Sequence, residues 1–226
     1  MKPTLSSSNP SEGDISLFDL DGVLIRTDTM AALISRRLRQ RPLQLLAVLP
    51  LFLAALLTPS ENHARARINR CLVSVALRGL NRDTYDQLAR KVATALASGP
   101  AVVQQAVKEC RHASDVGGTA VVTASEEVIA RTYLDAIGLA DVPLIASRLE
   151  FTGRTPRLKP HNVGAAKLSA IRAAGFSLEQ ATFYTDSASD LPTARQARLT
   201  VIVNAGRRST TLLTAGARQV ISVTWR

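Results

Sequence analysis

Two kinds of hydrophobic pattern divide this chain. Five short apolar runs, Ile15–Leu20, Ala120–Thr123, Leu144–Ala146, Ala181–Thr185 and Leu199–Val203, have the length of buried strands. Between the later runs, apolar residues recur at helical spacing over Glu126–Ile137 and Val163–Ala174. Strands alternating with helices predict an α/β fold with a parallel, doubly wound sheet. The first gap differs. About a hundred residues separate the first strand from the second, and nearly all of them read as helix. That is too long for one crossover. Residues 30–115 are therefore expected to form an inserted helical cap, with 14–29 and 116–226 building the sheet domain. Its helices should fall within Met30–Gln40, Leu43–Leu57, Ala64–Leu77, Arg82–Ser98 and Val102–Ser114, punctuated by Gly79, Gly99-Pro100 and Gly117-Gly118.

One cap segment breaks the amphipathic rule. Leu43–Leu57 contains no charge and is apolar on every side. Its 15 residues fall short of the ~20 that span a bilayer, and Pro50 interrupts it. Arg36, Arg37, Arg39 and Arg41 precede it; Arg65, Arg67 and Arg70 follow. Basic flanks on both sides suit an interfacial segment that meets anionic headgroups from one side. The competing reading is a helix buried within the cap or in a dimer interface. A small cap offers little core for that.

Length and charge refine the picture. The 226 residues allow one core domain plus a modest insertion. Basic residues outnumber acidic ones 28 to 18, a formal +10, which favours polyanionic partners. No basic stripe interleaved with aromatics is present, so a nucleic-acid partner is not expected. That leaves phosphorylated molecules and an anionic membrane surface. Cys71 and Cys110 show no metal-ligand spacing and make no disulfide framework. Residues 1–13 are polar and rich in Ser and Pro, without a signal peptide's apolar stretch. A disordered leader and a cytoplasmic location, peripheral at the inner face of the cell membrane if the apolar segment docks there, are the expectations.

The candidate chemistry sits at strand ends. The first strand runs into Asp19-Leu20-Asp21-Gly22: two carboxylates one residue apart, then a glycine that lets the chain turn. Two acids at a buried strand tip are costly unless something binds them, and a divalent cation is a usual partner. The second strand ends in Thr123-Ala124-Ser125 before a helix, where hydroxyls and free N–H groups can hold an anion. Ser125 can also be read as a simple helix N-cap. The fourth strand ends in Asp186 and Asp190.

In this order the residues resemble the motif set of the haloacid dehalogenase superfamily, over almost the full chain. Asp19-Leu20-Asp21-Gly22-Val23 resembles the first motif, Thr123 the second, and Asp186 with Asp190 the fourth. The third motif is a lysine. Lys167 fits a glycine-then-lysine pattern, and Lys159, before Pro160, fits the Lys-Pro form of sister branches. His161, between the two, reads as a surface or supporting residue and not a metal ligand. The insertion after the first motif resembles the cap of the phosphoserine-phosphatase-like branch. The resemblance implies a Rossmann-like core and phosphomonoester hydrolysis. Asp19 would be the nucleophile and Asp21 the acid/base. Thr123, Ala124 and Lys167 would bind phosphate. Mg²⁺ would be held by Asp19, Asp21 (through its carbonyl), Asp186 and Asp190. Asp21 favours phosphate over halide, because halide needs no proton.

The substrate is less constrained. Arg39 to Leu51 is similar to the corresponding region of bacterial phosphatidylglycerophosphatase C, which implies a lipid-linked phosphate. Asp28 either faces the substrate or caps the first cap helix. A soluble phosphatase for a small metabolite such as phosphoserine is the alternative. A non-catalytic binding protein on the same fold is a third reading, and the intact acid set argues against it.

Overall fold

The computed structural model of the chain describes residues 15–58, 62–153 and 155–226. The expected leader lies outside the described residues. The sheet strands are β1 (Ile15–Phe18), β2 (Thr119–Glu126), β3 (Leu144–Ser147), β6 (Ala181–Thr185), β7 (Leu199–Val203) and β8 (Val220–Val223). They form one six-stranded sheet in the order β3-β2-β1-β6-β7-β8. Every pairing in it is parallel. A short antiparallel pair, β4 (Leu149–Glu150) and β5 (Arg157–Leu158), lies apart. The sequence reading missed that pair and β8.

Side-chain alternation along the strands splits the core in two. Leu17, Ala120, Val122, Phe183 and Ile202 point to one face, where they pack with Ile171 and Leu213. Those two residues belong to α7 (Ala165–Ala173) and α9 (Arg207–Gly216), and α8 (Leu191–Ala194) supplies Ala194 to the same layer. Phe18, Val121, Tyr184, Val201 and Val203 point the other way. There they meet α6 (Glu127–Ala136) and α5 (Gln104–Val116). Period-two alternation between two helical layers is what a sheet covered on both faces demands. Phe18 and Tyr184 stack across β1 and β6 with ring centroids 4.1 Å apart.

Between β1 and β2 lie α1 (Thr29–Arg39), α2 (Pro42–Leu57), α3 (His63–Ala76), α4 (Arg82–Ala97) and α5. The first four pack among themselves: α1 on α2, α3 and α4, and α2 on α3. They also reach the sheet domain, α4 through α6 and α3 through β5. The fifth helix, which the sequence reading assigned to the insertion, packs on β1 and β2. The two connections to the cap run side by side. Arg26 N–H donates to the Ala101 carbonyl, and Val103 N–H to that of Leu24.

The apolar segment is a helix whose side chains remain largely outside the core. Within α2 only Val48 and Ala55 are buried hydrophobics. Leu43 is 81% exposed, Leu46 68% and Leu57 86%. Burial within the cap, the competing sequence reading, is thus corrected. α2 packs chiefly on α3 and more lightly on α1, which leaves its other sides uncovered. Among the described residues no helix is long and apolar enough to cross a membrane. The arginine flanks are also uneven. Arg37 is buried, and Arg65 donates to the Thr58 carbonyl over 3.0 Å.

Candidate active site

The carboxyl ends of β1, β2 and β6 meet where the strand order reverses around β1, the place where open α/β sheets hold ligands. A polar cavity of about 330 Å³ lies there, lined by Asp19, Asp21, Asp28, Asp186 and Asp190 with Lys167 and Arg26.

Asp19 follows the last residue of β1. Its Oδ1 accepts from Leu20 N–H at 2.8 Å and its Oδ2 from Lys167 Nζ at 2.8 Å. Lys167 lies in the first turn of α7, is 2% exposed, and also donates to Asp190 Oδ2 at 2.8 Å. Thr185 Oγ1 donates to the same Asp190 oxygen at 2.8 Å. Burial opposes the lysine's charge, but the Asp19 and Asp190 carboxylates hold its pKa above the ordinary value. Of the two sequence candidates, then, Lys167 reaches the acids. Lys159 is exposed on the loop before Pro160, bonded through its N–H to the Arg148 carbonyl.

Asp21 is held by two donors. Thr29 N–H reaches Oδ1 at 2.7 Å and Ser125 Oγ reaches Oδ2 at 2.6 Å. Thr29 Oγ1 donates in turn to Ser125 Oγ at 2.7 Å. Burial, and then the nearby charge of Asp28, push the Asp21 carboxyl up to about 7. A carboxyl that titrates near neutrality can give and take a proton at physiological pH. Asp28 itself is the N-cap of α1, accepting from Ala31 N–H at 2.7 Å, while it also lines the cavity. The two sequence readings of Asp28 are compatible.

Ser125 is not the N-cap of α6. β2 runs through to Glu126, and the Glu126 side chain caps the helix by accepting from Val128 and Ile129 N–H. Tyr85 of α4 donates to the same Glu126 carboxylate at 2.7 Å. Thr123 is fully buried where the regular pairing of β2 breaks, three residues before the strand's last residue; it does not line the cavity, and its Oγ1 accepts from Ser125 N–H at 3.0 Å. Thr185 makes the matching turn with Ser187 N–H at 3.1 Å. Both hydroxyls fix the turn that follows them. Ala124 lines the cavity.

Gly22 has φ +82°, and a Cβ there would lie 2.1 Å from Asp186 Cγ. The glycine both permits the turn and makes room for the Asp186 carboxylate. Burial, then the charge of Asp190, raise Asp186 to about 6. Burial also drives Asp19 well above the ordinary carboxylate range, with Lys167 opposing and Asp190 and Asp186 reinforcing the rise. Five aspartates around one lysine and one arginine leave a deficit of positive charge. That deficit fits a divalent cation. No group of three or more His, Cys, Asp or Glu side chains among the described residues makes a ready cage. The donor set matches Mg²⁺, which takes one or two carboxylates and completes its shell with water and phosphate oxygens. Asp19 and Asp186 are the carboxylates suited to it. Both Asp21 carboxylate oxygens already have donors, and Asp190 Oδ2 has two.

His161 does not line this polar cavity but lines an adjoining one together with Asp21, Asp28 and Ser125. Burial, then the positive charge of Arg70, lower its pKa to about 4, and its Nδ1 is buried without a partner. Sequence reasoning missed Arg26 at the cavity wall and the Thr29-to-Ser125 link that orients Asp21. Neither residue has a sequence signal, because their partners lie far along the chain.

The comparisons bear on the fold and the family. No curated protein sequence matches the chain. A Bordetella pertussis Tohama I protein of unknown function has the same fold, at TM-score 0.68 and 19% identity over 93% of this chain and 99% of that one. A phosphoserine phosphohydrolase-like protein from Francisella tularensis superposes at TM-score 0.65 and 13% identity, covering 93% and 95%. A substrate-bound phosphoserine phosphatase superposes at TM-score 0.62 and 17% identity, covering 94% of each chain. The family model for haloacid dehalogenase-like hydrolases matches residues 16–195. With that match spanning the strand-end acids and the cap, the chain belongs to the haloacid dehalogenase-like hydrolase family.

Proposed function

We propose that the protein is a Mg²⁺-dependent phosphomonoester hydrolase that works through an aspartyl-phosphate on a lipid-linked phosphate at an anionic membrane surface. The observation that carries this reading is a second cavity, of about 560 Å³, that runs from Asp21 and Ser125 along apolar residues of α1, α2 and α3. The acids are thus joined to an apolar recess, and the recess borders a helix with exposed leucines.

The geometry supports the following residue roles. Asp19 attacks phosphorus, and the bond to the leaving oxygen breaks. Asp21 gives that oxygen its proton, then takes one from the water that cleaves the acyl-phosphate. Ser125 and Thr29 keep Asp21 aimed throughout. Lys167 and the Ala124 N–H hold the transferring oxygens, while Asp190 and Thr185 hold Lys167 and the buried Thr123 hydroxyl shapes the turn that presents Ala124. Asp19, Asp186 and the Asp21 carbonyl would hold Mg²⁺, with Asp190 close by. The ion supplies charge neutralisation for the phosphoryl oxygens.

The outer side of α2 supports the membrane part of the reading. Leu43, Leu46, Leu53 and Leu57 share one exposed helix face, and an exposed apolar patch of this kind marks an interaction surface.

A phosphate-release screen with Mg²⁺ tests the whole. Phosphatidylglycerophosphate and lysophosphatidate are expected to turn over faster than phosphoserine or sugar phosphates, and Asp19→Asn should abolish every activity. Activity that survives Asp19→Asn overturns the mechanism. A preference for phosphoserine establishes the second reading, a small-metabolite phosphatase. That reading is favoured by the 330 Å³ polar cavity, which alone accommodates a small phosphate, and by the phosphoserine phosphatase neighbours.

A further inference from the structure

The two apolar sides of α2 are not equivalent. Leu45, Leu49, Phe52 and Leu56 recur at helical spacing and all line the larger cavity. Leu43, Leu46, Leu53 and Leu57 lie on another face and do not line it. Ile34 and Leu38 of α1 and Leu72 of α3 form the opposing walls. Leu45, Leu49 and Phe52 are nonetheless 46 to 50% exposed, so they sit at the lip of an open groove. The inner mouth of this groove is polar and belongs to the reaction site, through Asp21, Asp28 and Ser125.

We infer that the groove between α1, α2 and α3 takes one hydrocarbon chain of the substrate, with the phosphate at the Asp21 end and the chain leaving past Phe52. This rests on the phosphatase reading above and deepens it: the substrate is an amphiphilic monophosphate whose hydrocarbon chain reaches the groove while its phosphate lies at the acids. The volume supports one chain. At ~30 Å³ for a group the size of a water molecule, a cavity of about 560 Å³ holds roughly 19 such groups. The chain would cover the inner leucines as a bilayer covers the outer ones. An uncharged helix apolar on all sides then has a use for each side. Acyl and prenyl chains share this chemistry, and the groove selects for hydrocarbon in either form.

The test separates binding from turnover. Affinities of n-alkyl phosphonates from butyl to decyl are measured by calorimetry in Mg²⁺ buffer, below micelle formation. The dissociation constant should fall about 3- to 4-fold for each added methylene, with an increasingly negative heat-capacity change. In Leu49→Asp, which puts a charge on the groove wall, this dependence should flatten. Affinity independent of chain length overturns the groove assignment, and so does a full dependence retained in Leu49→Asp. The matching alkyl phosphates are assayed for phosphate release in parallel. A chain-length dependence in binding without release of phosphate keeps the groove and overturns the phosphatase reading instead.

Discussion

The Ser125 hydroxyl donates to the Asp21 carboxylate over 2.6 Å, joining residues 104 positions apart. With Thr29 N–H on the other oxygen, it fixes the direction in which Asp21 can pass a proton. Ser125→Ala leaves the fold intact but frees one side of the carboxyl. We expect kcat to fall roughly 10- to 100-fold, at or below the low end of the 10²–10⁴ that a general acid contributes. The lost hydrogen bond had lowered the Asp21 pKa against burial and Asp28, so the alkaline limb of the pH–rate profile should move up. An unchanged profile would mean that Ser125 is only structural.

Asp28 acts on the same carboxyl in the opposite sense. After burial, its charge is the next cause of the Asp21 pKa of about 7. Asp28→Asn removes the charge and keeps an N-cap residue for α1. The Asp21 pKa should drop, so the proton needed by the leaving group is lost at lower pH. The alkaline limb then moves down, while Tm changes little. The two variants together bracket Asp21: opposite shifts assign the limb to it, and parallel shifts do not.

Lys167 is a buried cation between two buried carboxylates. Lys167→Met should destabilise by about 3–5 kcal/mol, because Asp19 and Asp190 lose their shared partner. The sign of the pH dependence follows from Asp19. Burial already raises its folded pKa, and Lys167 opposes that rise, so the variant raises it further. An acid with a raised folded pKa loses stability as pH climbs from its unfolded value toward the folded one. The Tm deficit should therefore be large at neutral pH and shrink toward about pH 4. Thermal melts across that range check it; a deficit independent of pH counts against the ion pairs as its cause.

Gly22→Ala combines two costs. The backbone at φ +82° disfavours any side chain, and the new methyl would sit 2.1 Å from the Asp186 carboxylate. Something must move, and Asp186 is the group in the way. A displacement of about 1 Å at a reacting centre costs on the order of 100-fold in rate. The loss of phosphate release should exceed what the fall in Tm explains. Raised Mg²⁺ should recover part of it if Asp186 is a ligand. Full activity in the variant would show that the close approach is not needed.

How much of this was legible in the chain depends on distance along it. The strand-end acids announced themselves, since Asp19 and Asp21 break an apolar run and Gly22 turns the chain. The parallel sheet followed from the alternating strands and helices. The glycine-then-lysine pattern favours Lys167 with Lys159 as the alternative, and only the fold brings Lys167 to Asp19 and Asp190. Gly164, at φ +58°, is the N-cap of α7, which puts Lys167 in the helix's first turn. Of the two readings of Ser125, the N-cap one fails because β2 runs one residue further and Glu126 caps the helix instead, and only the fold brings Asp21 to the Ser125 hydroxyl. β4 and β5 have two residues each, too few for any period to register. β8 is an edge strand with Ile221 exposed, and its Val220–Val223 run is short. For α2, hydropathy without sidedness could not divide one leucine-rich face from another.

That division gives the last prediction. Leu46 is 68% exposed and Leu53 51%, and neither lines the groove. Replacing both with serine removes apolar surface only from the outer face. Exposed substitutions of this kind usually change stability by no more than ~0.5 kcal/mol, so Tm should hold. If the outer face enters a bilayer, each leucine contributes about 1.5 kcal/mol or more of burial there, and losing both should weaken vesicle binding by roughly 100-fold. Co-sedimentation with anionic vesicles at low salt measures this directly. The alkyl phosphonate series should keep its dependence on chain length in the same variant, because the groove face is untouched. Loss of vesicle binding with retained chain dependence would separate the two faces of α2. Vesicle binding that survives both substitutions and vanishes as salt is raised would assign membrane contact to the arginines; binding that survives both the substitutions and high salt would assign it to Leu43 and Leu57, which remain on that face.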